Sequence, residues 1–262
     1  MSGKNQVSGE KARKPIGRPL TGAAAAAASA PKAKPRKAPA PKRPGRPRLV
    51  DDAAVAALVR ELHTLYPEAQ TALLHEDPLQ LLVATILSAQ STDVRVNEVT
   101  RTLFRKYRTA ADFADADPAT FEGEIRPTGF FRNKTKLVIG AARRLRDVYG
   151  SEVPRVMDDL LTLPGVARKT ANVVLGSAFG IADGVVVDTH IRRLSFRLGI
   201  TREDDPVKIE RDLMRRVPRE EWIFIGHGLI LHGRAVCHAR KPRCSVCALA
   251  TWCPRNGVTV SA

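Results

Sequence analysis

An all-α fold follows from three features of the sequence. From residue 50 onward, apolar residues recur at i, i+3, i+4 and i+7, the spacing of a helix buried along one face. Capping residues, prolines and glycines stand where helices of that phase must begin and end. Strand signals are nearly absent: GVVVD, residues 184–188, is the one run of β-branched residues, and a lone strand has nothing to pair with.

The elements follow in order. In EDPLQLLVATILSAQ, Asp77 is a fitting N-cap and Pro78 takes the first helical position, with Leu79, Leu82, Val83 and Ile86 on one face. STDVRVNEVTRTLFRKY repeats the spacing with Val96, Val99 and Leu103. NKTKLVIGAARRLRDVYG does so with Leu137, Ala141, Leu145 and Val148, and Gly150 stops it. Further helices fit 117–125, 154–161, 166–179, 188–198, 206–217 and 219–235.

Charge is unevenly spread. The 262 residues carry 43 Lys or Arg against 27 acids, a net +16, which points to a polyanionic partner. Thirteen of those bases and only one acid, Glu10, lie in residues 1–49, a Pro-, Ala- and Lys-rich stretch expected to be a disordered basic tail. Gly-Arg-Pro in KPIGRPL and KRPGRPR resembles the core of an AT-hook laid along an A·T minor groove. A polybasic arm that touches phosphates only, and a transit peptide, remain open for the same stretch. No run of 18 apolar residues spans a bilayer and no apolar signal segment opens the chain, so a cytoplasmic or nuclear protein without a membrane partner is expected.

Residues 154–179 read as helix, LPGV turn, helix. Pro164 ends the first helix and Gly165 permits a tight reversal, so the second helix opens with outward backbone N–H groups. Such an end holds a phosphate without reading a base, which suits a protein that must grip many sequences. Lys169 and Arg168 sit at this helix start, and Asp188 precedes THIRRL as a natural N-cap. The four cysteines are spaced Cys237-x6-Cys244-x2-Cys247-x5-Cys253, close enough to wrap one small centre. A zinc ribbon normally uses two separated C-x-x-C knuckles, and only one is present.

LPGVARKTANVV followed by VVVDTHIRRL resembles the helix-hairpin-helix and aspartate loop of the base-excision DNA glycosylases, most of all the endonuclease III family. LSAQSTD, GFFRNK, LILHGR and the cysteine cluster extend that resemblance over about residues 50–255. It implies a two-lobed helix-hairpin-helix glycosylase fold, with a helical barrel domain over 71–181 and an iron-sulfur cluster domain joining 50–70 to 182–262. It also implies a bifunctional enzyme that excises oxidised pyrimidines and cuts the strand at the abasic site, acting as a monomer on double-stranded DNA containing damaged bases or abasic sites. Siblings that remove adenine or mismatched thymine usually lack a lysine at position 169, and a non-catalytic DNA-binding module is the rival from another class.

The chemistry asked of the residues is consistent. Glycosylase and lyase steps together need an amine that attacks C1′ and forms a Schiff base. Lys169 is the candidate; the positive helix end and Arg168 both disfavour its ammonium. Asp188 pushes the other way, and its part is to stabilise charge developing on the sugar and to help deprotonate the amine. Gly165, Ala167 and Arg168 are the expected phosphate contacts of the hairpin. The family usually has glycine where this chain has Ala167, a change expected to matter little because alanine readily takes helical dihedrals.

A stacked base is unreachable, so something must fill the gap it leaves on flipping. By resemblance Gln90 enters that space and Phe130 is the apolar wedge; read alone, Gln90 is a C-cap or surface amide, and Phe130 or Phe131 could be core. Asp93 and Asn133 are expected to shape the lesion pocket, or to serve as N-cap and turn residue. The cysteine spacing matches the family's [4Fe–4S] cluster, and Arg240, Lys241 and Arg243 in its first loop are expected to touch phosphates. His227 and His232 are five residues apart, off one helical face, and are read as packing or phosphate residues.

Overall fold

The computed structural model describes residues 46–262, so the first Gly-Arg-Pro triplet lies outside the described residues and the second straddles their edge. Eleven α-helices are present among them: α1 Asp52–Leu65, α2 Pro78–Leu87, α3 Asp93–Lys106, α4 Ala110–Ala114, α5 Pro118–Ile125, α6 Phe131–Val148, α7 Met157–Leu161, α8 Arg168–Phe179, α9 Thr189–Arg197, α10 Pro206–Arg216 and α11 Trp222–Ala235. No strand occurs among the described residues, and GVVVD is extended but unpaired.

Local signals act where the sequence puts them. Asp77 caps α2 by accepting from the Gln80 amide, with Pro78 behind it. Asp117 and Asp205 do the same for α5 and α10, each cap contributing about 1 kcal/mol. Gly150 and Gly180, both at positive φ, close α6 and α8.

Some expectations need correction. α7 starts at Met157, not 154, and residues 219–221 are a 3-10 turn ahead of α11. Helices α1 and α4 went unassigned although Val55, Leu58, Val59 and Leu62 follow helical spacing. On α6 the buried face runs through Val138, Ala141, Ala142 and Leu145, one step round from the expected stripe, and Val148 is exposed. The tail was expected to run unstructured to residue 49. Residues 47–50 instead dock: Arg48 exchanges backbone hydrogen bonds with the Asn256 amide, Arg202 donates to the Pro47 carbonyl, and Val50 donates to Gly199. A Cβ on Gly199 would sit 2.7 Å from the Arg48 carbonyl, so glycine there makes room for that strand of chain.

Two hydrophobic cores result. The first gathers residues 73–175 from α2 to α8, with α2 against α8 and α4 against α6. Leu81, Leu82 and Leu87 are fully buried in it, each worth about 2 kcal/mol of apolar burial. The second takes α1 together with residues 185–249, α1 and α9 both packing on α11. α1 therefore belongs to the core formed by the last third of the chain.

Candidate active site

Gly165, at φ +80°, makes the hairpin turn between α7 and α8; a Cβ there would press on Leu137 at 3.0 Å. Ala167 is the N-cap of α8 and has no side-chain oxygen to satisfy the first-turn amides, which leaves them for an external acceptor. Ala167 is extended (φ −94°, ψ 170°), not helical as expected, a conformation alanine adopts without strain.

Lys169, the second residue of α8, is exposed and lines a cleft fed by both cores. Asp188 lines the same cleft from the other core, as do Ser88, Asp93, Asn172, His227 and Arg234; the space is about 930 Å³ including its open mouth. Asp188 caps α9, its Oδ1 accepting from the Ile191 amide at 2.8 Å. No basic group among the described residues lies within ion-pair distance of Asp188. The lysine and the carboxylate thus face one space without closing on each other. An amine nucleophile and a carboxylate so placed can act on opposite sides of a reacting carbon.

Arg168 is half-exposed and is also tied back into the protein. Its Nε donates to Glu210 Oε2 at 2.8 Å, and Glu210, buried on α10, accepts at its other oxygen from Asn172 Nδ2 at 2.9 Å. The pairing has a plain cause: a buried carboxylate needs partners, and Arg168 and Asn172 are the donors within reach. The pairing raises the Arg168 guanidinium pKa through its hydrogen bond to Glu210. Glu210 went unnoticed in the sequence because an acid on an amphipathic helix reads as solvent-facing. Asp93 is not an N-cap either; Thr92 caps α3, and Asp93 Oδ2 accepts from Arg234 Nη2 at 2.6 Å across the cleft.

Gln90 and Phe130 lie on neighbouring loops around a second hollow that also touches Asn133, Lys134, Gly165 and Thr170. Both are exposed, Phe130 at 63 %, and both are non-glycine residues at positive φ, +55° and +48°. The cap of α2 is Ser88, so Gln90 stands beyond the helix end. Phe131 is the aromatic that packs on the first core.

All four cysteines are free thiols and face one cavity, shared with Arg197 and His232. No group of three His, Cys, Asp or Glu among the described residues is gathered closely enough to hold a single metal ion. The surroundings are cationic. Arg197, buried on α9, donates to the His238 and Ala239 carbonyls at 2.7 and 2.6 Å and reaches Cys237 Sγ at 3.4 Å. Arg193 donates to the Gly233 and Cys237 carbonyls at 3.1 Å and has no carboxylate within ion-pair distance. Thiolate charge in the cavity would balance these guanidiniums, so the residues present fit an anionic iron-sulfur centre. Arg240, Lys241 and Arg243 are exposed on the loop these arginines hold. His232 is buried between Tyr66 and Cys247, and His227 lies in the cleft near Ser177 Oγ; burial lowers both imidazoles, His232 to about 4.

The profile of the HhH-GPD superfamily of base excision DNA repair proteins matches residues 83–219. An endonuclease III of Synechocystis sp. is 56 % identical over 193 residues, covering 74 % of this chain and 88 % of that protein. The chain belongs to the endonuclease III family. The Bacillus subtilis endonuclease III is 45 % identical over 190 residues, covering 72 % of this chain and 86 % of the relative. Among solved structures, a non-covalent endonuclease III–DNA complex superposes with a TM-score of 0.76 at 41 % identity over 79 % of this chain and 97 % of that one. A trapped endonuclease III–DNA covalent intermediate aligns equally well, at a TM-score of 0.76. A thermostable thymine-DNA glycosylase, 23 % identical with a TM-score of 0.71, shares the fold. As an endonuclease III family member, this chain is a base-excision-repair enzyme that binds DNA. No helix among the described residues is long and apolar enough to cross a membrane.

Proposed function

We infer that this endonuclease III family enzyme is a bifunctional DNA glycosylase and AP lyase that excises oxidised pyrimidines from duplex DNA. The observation that carries the residue assignment is the shared cleft: Lys169 and Asp188 line it from opposite cores with the open amide end of α8 beside them. The deoxyribose phosphate rests on those amides. The neutral amine of Lys169 attacks C1′ as the bond from C1′ to the base nitrogen breaks and the base leaves with that electron pair and takes up a proton. Asp188, through the oxygen not used as a cap, takes the proton lost by the amine and faces the positive charge on the sugar. Ring opening gives the Schiff base, loss of a C2′ proton follows, and the 3′ phosphate departs by β-elimination. Gln90 fills the vacated space and Phe130 wedges the opposite strand.

Cys237, Cys244, Cys247 and Cys253 hold a [4Fe–4S] cluster in this reading. When bound, it ties the 238–243 loop together and supplies the negative charge that Arg193 and Arg197 lack. Arg240, Lys241 and Arg243 then meet phosphates. The 71–181 and 50–70 plus 182–262 segments act as the two lobes around the cleft, and the enzyme works as a monomer in the bacterial cytoplasm on nucleoid DNA.

Borohydride trapping tests this. With thymine-glycol or abasic duplex the protein forms a covalent adduct, and Lys169→Gln removes it while leaving DNA binding in place. Binding without an adduct in the unaltered protein would leave only a DNA-gripping module.

A further inference from the structure

Lys134 is the fourth residue of α6 and is 2 % exposed, in phase with Val138, Ala141 and Leu145 on the buried face of that helix. A lysine in that stripe is costly to bury, and burial does lower its ammonium pKa. No carboxylate among the described residues lies within ion-pair distance of it. Its Nζ instead donates to two main-chain carbonyls, Leu87 O and Thr128 O, each at 2.8 Å.

Those two carbonyls end two separate elements. Leu87 is the last residue of α2, where the final carbonyls lack partners within the helix. Thr128 is the last residue of the 3-10 turn Arg126–Thr128, and its own hydroxyl is tied back to the Ile125 carbonyl at 2.8 Å. Three residues beyond Leu87 stands Gln90; two residues beyond Thr128 stands Phe130. Among the described residues only four non-glycine residues have positive φ, and these are two of them. A non-glycine residue is strained there, so it persists only where the surrounding structure over-determines it. Lys134 also lines the hollow between the two side chains. An apolar residue at 134 would fill the core equally well and leave both carbonyls without a donor.

We propose that Lys134 is a positioning residue whose single buried ammonium locks the Gln90 loop to the Phe130 loop, so that both side chains enter the duplex as one unit when the base is flipped. The inference rests on the assignment of Gln90 and Phe130 to duplex opening. Lys134 itself touches no nucleotide and takes no part in the chemistry at C1′. Its loss therefore harms substrates that must be unstacked and spares those already open.

The test uses the full chain carrying Lys134→Met, which keeps the length of the stem and removes the donors. Single-turnover excision of thymine glycol from duplex falls roughly a hundredfold, the loss expected when Gln90 and Phe130 are misplaced by about an ångström and no longer hold the base out of the stack while the groups at C1′ stay in place. Fluorescence of a 2-aminopurine placed opposite the lesion, which reports unstacking, loses its rapid rise. Borohydride adduct formation with an abasic site in single-stranded DNA stays near that of the unaltered protein. Equal losses on the two substrates, or no loss on the duplex, would overturn the inference. Gln90→Ala and Phe130→Ala in the same assays separate it from the reading beneath it. If neither slows duplex excision, the duplex-opening assignment fails; if both do and Lys134→Met does not, only the positioning role fails. Should Lys134→Met not melt cooperatively, Lys134→Gln, which retains two N–H donors, takes its place with the same pattern at smaller size. Failure of both variants to fold would make Lys134 a residue of the fold alone and overturn the proposal.

Discussion

The wall of the cleft that carries Lys169 and the loop that carries the cysteines each tie down arginine, but they neutralise it differently. Arg168 has a buried carboxylate, Glu210, which is itself satisfied by Asn172. Arg193 and Arg197 have carbonyl oxygens and a thiol. The first arrangement pairs its two charges within the protein and leaves only Asn172 Oδ1 buried without a partner. The second holds two guanidiniums whose counter-charge must come from ionised thiols or from what they ligate. The cleft wall therefore keeps its charge balance without a ligand, whereas the cysteine loop fits the anionic centre proposed for it.

Four substitutions probe this contrast, ordered by their expected effect on stability. Cys247→Ser removes a ligand from the cysteine loop and is expected to cost about 4 kcal/mol or more, read as an early loss of cooperative melting together with loss of visible absorbance from thiolate-bound iron. If melting is unchanged, the cysteine region does not depend on its cluster and the contrast dissolves. Gly184→Ala attacks the cleft wall: its Cβ would stand 2.1 Å from Glu210 Oε1 and 2.8 Å from Asn172 Nδ2, so a drop of about 1–3 kcal/mol in denaturant unfolding is expected. An unchanged midpoint would mean the Arg168–Glu210–Asn172 network is slack.

His227 gives a pH signature inside the cleft. Burial pushes its imidazole below the ordinary value, so the unfolded chain binds the proton more readily than the folded one. Stability is therefore full above about pH 6.5, the unfolded value, and falls as the pH drops below it. His227→Gln lessens the slope of that part of the stability–pH curve without abolishing it, because burial also lowers the His232 imidazole, to about 4; an unaltered slope would show that His227 contributes nothing. Smallest in stability is Asp188→Asn. Asparagine caps a helix as well as aspartate, so the midpoint moves by only about a few tenths of a kcal/mol. Excision nonetheless falls roughly a hundredfold or more, the loss expected for a positioned proton acceptor. Parallel losses in both readouts would make Asp188 a cap and nothing else.

How much of this was legible in the sequence depends on the range of the interaction. Asp77, Asp117, Asp188 and Asp205 announce helix starts because a cap bonds an amide two or three residues away. The cysteine spacing is equally local. The Arg168–Glu210 pair was not legible because the two residues are 42 apart in the chain. Asp93 lines the cleft as expected, but its partner Arg234 was not legible because it is 141 residues off. Lys134 went unremarked, although a cation in phase with Val138, Ala141 and Leu145 is a visible conflict with a buried stripe, and that conflict was the signal available.

The order of residues alone determined most of the helices, the hairpin turn, the cysteine spacing and the family, since each rests on contacts within a turn or two of chain or on motifs read in line. Only the folded chain decided which charges meet: that α1 joins the last third of the molecule, that Arg168 pairs with Glu210, and that one lysine bridges the ends of α2 and the 126–128 turn. Such pairings depend on where distant segments come to rest, and a buried charge takes whatever partner packing brings within hydrogen-bond reach.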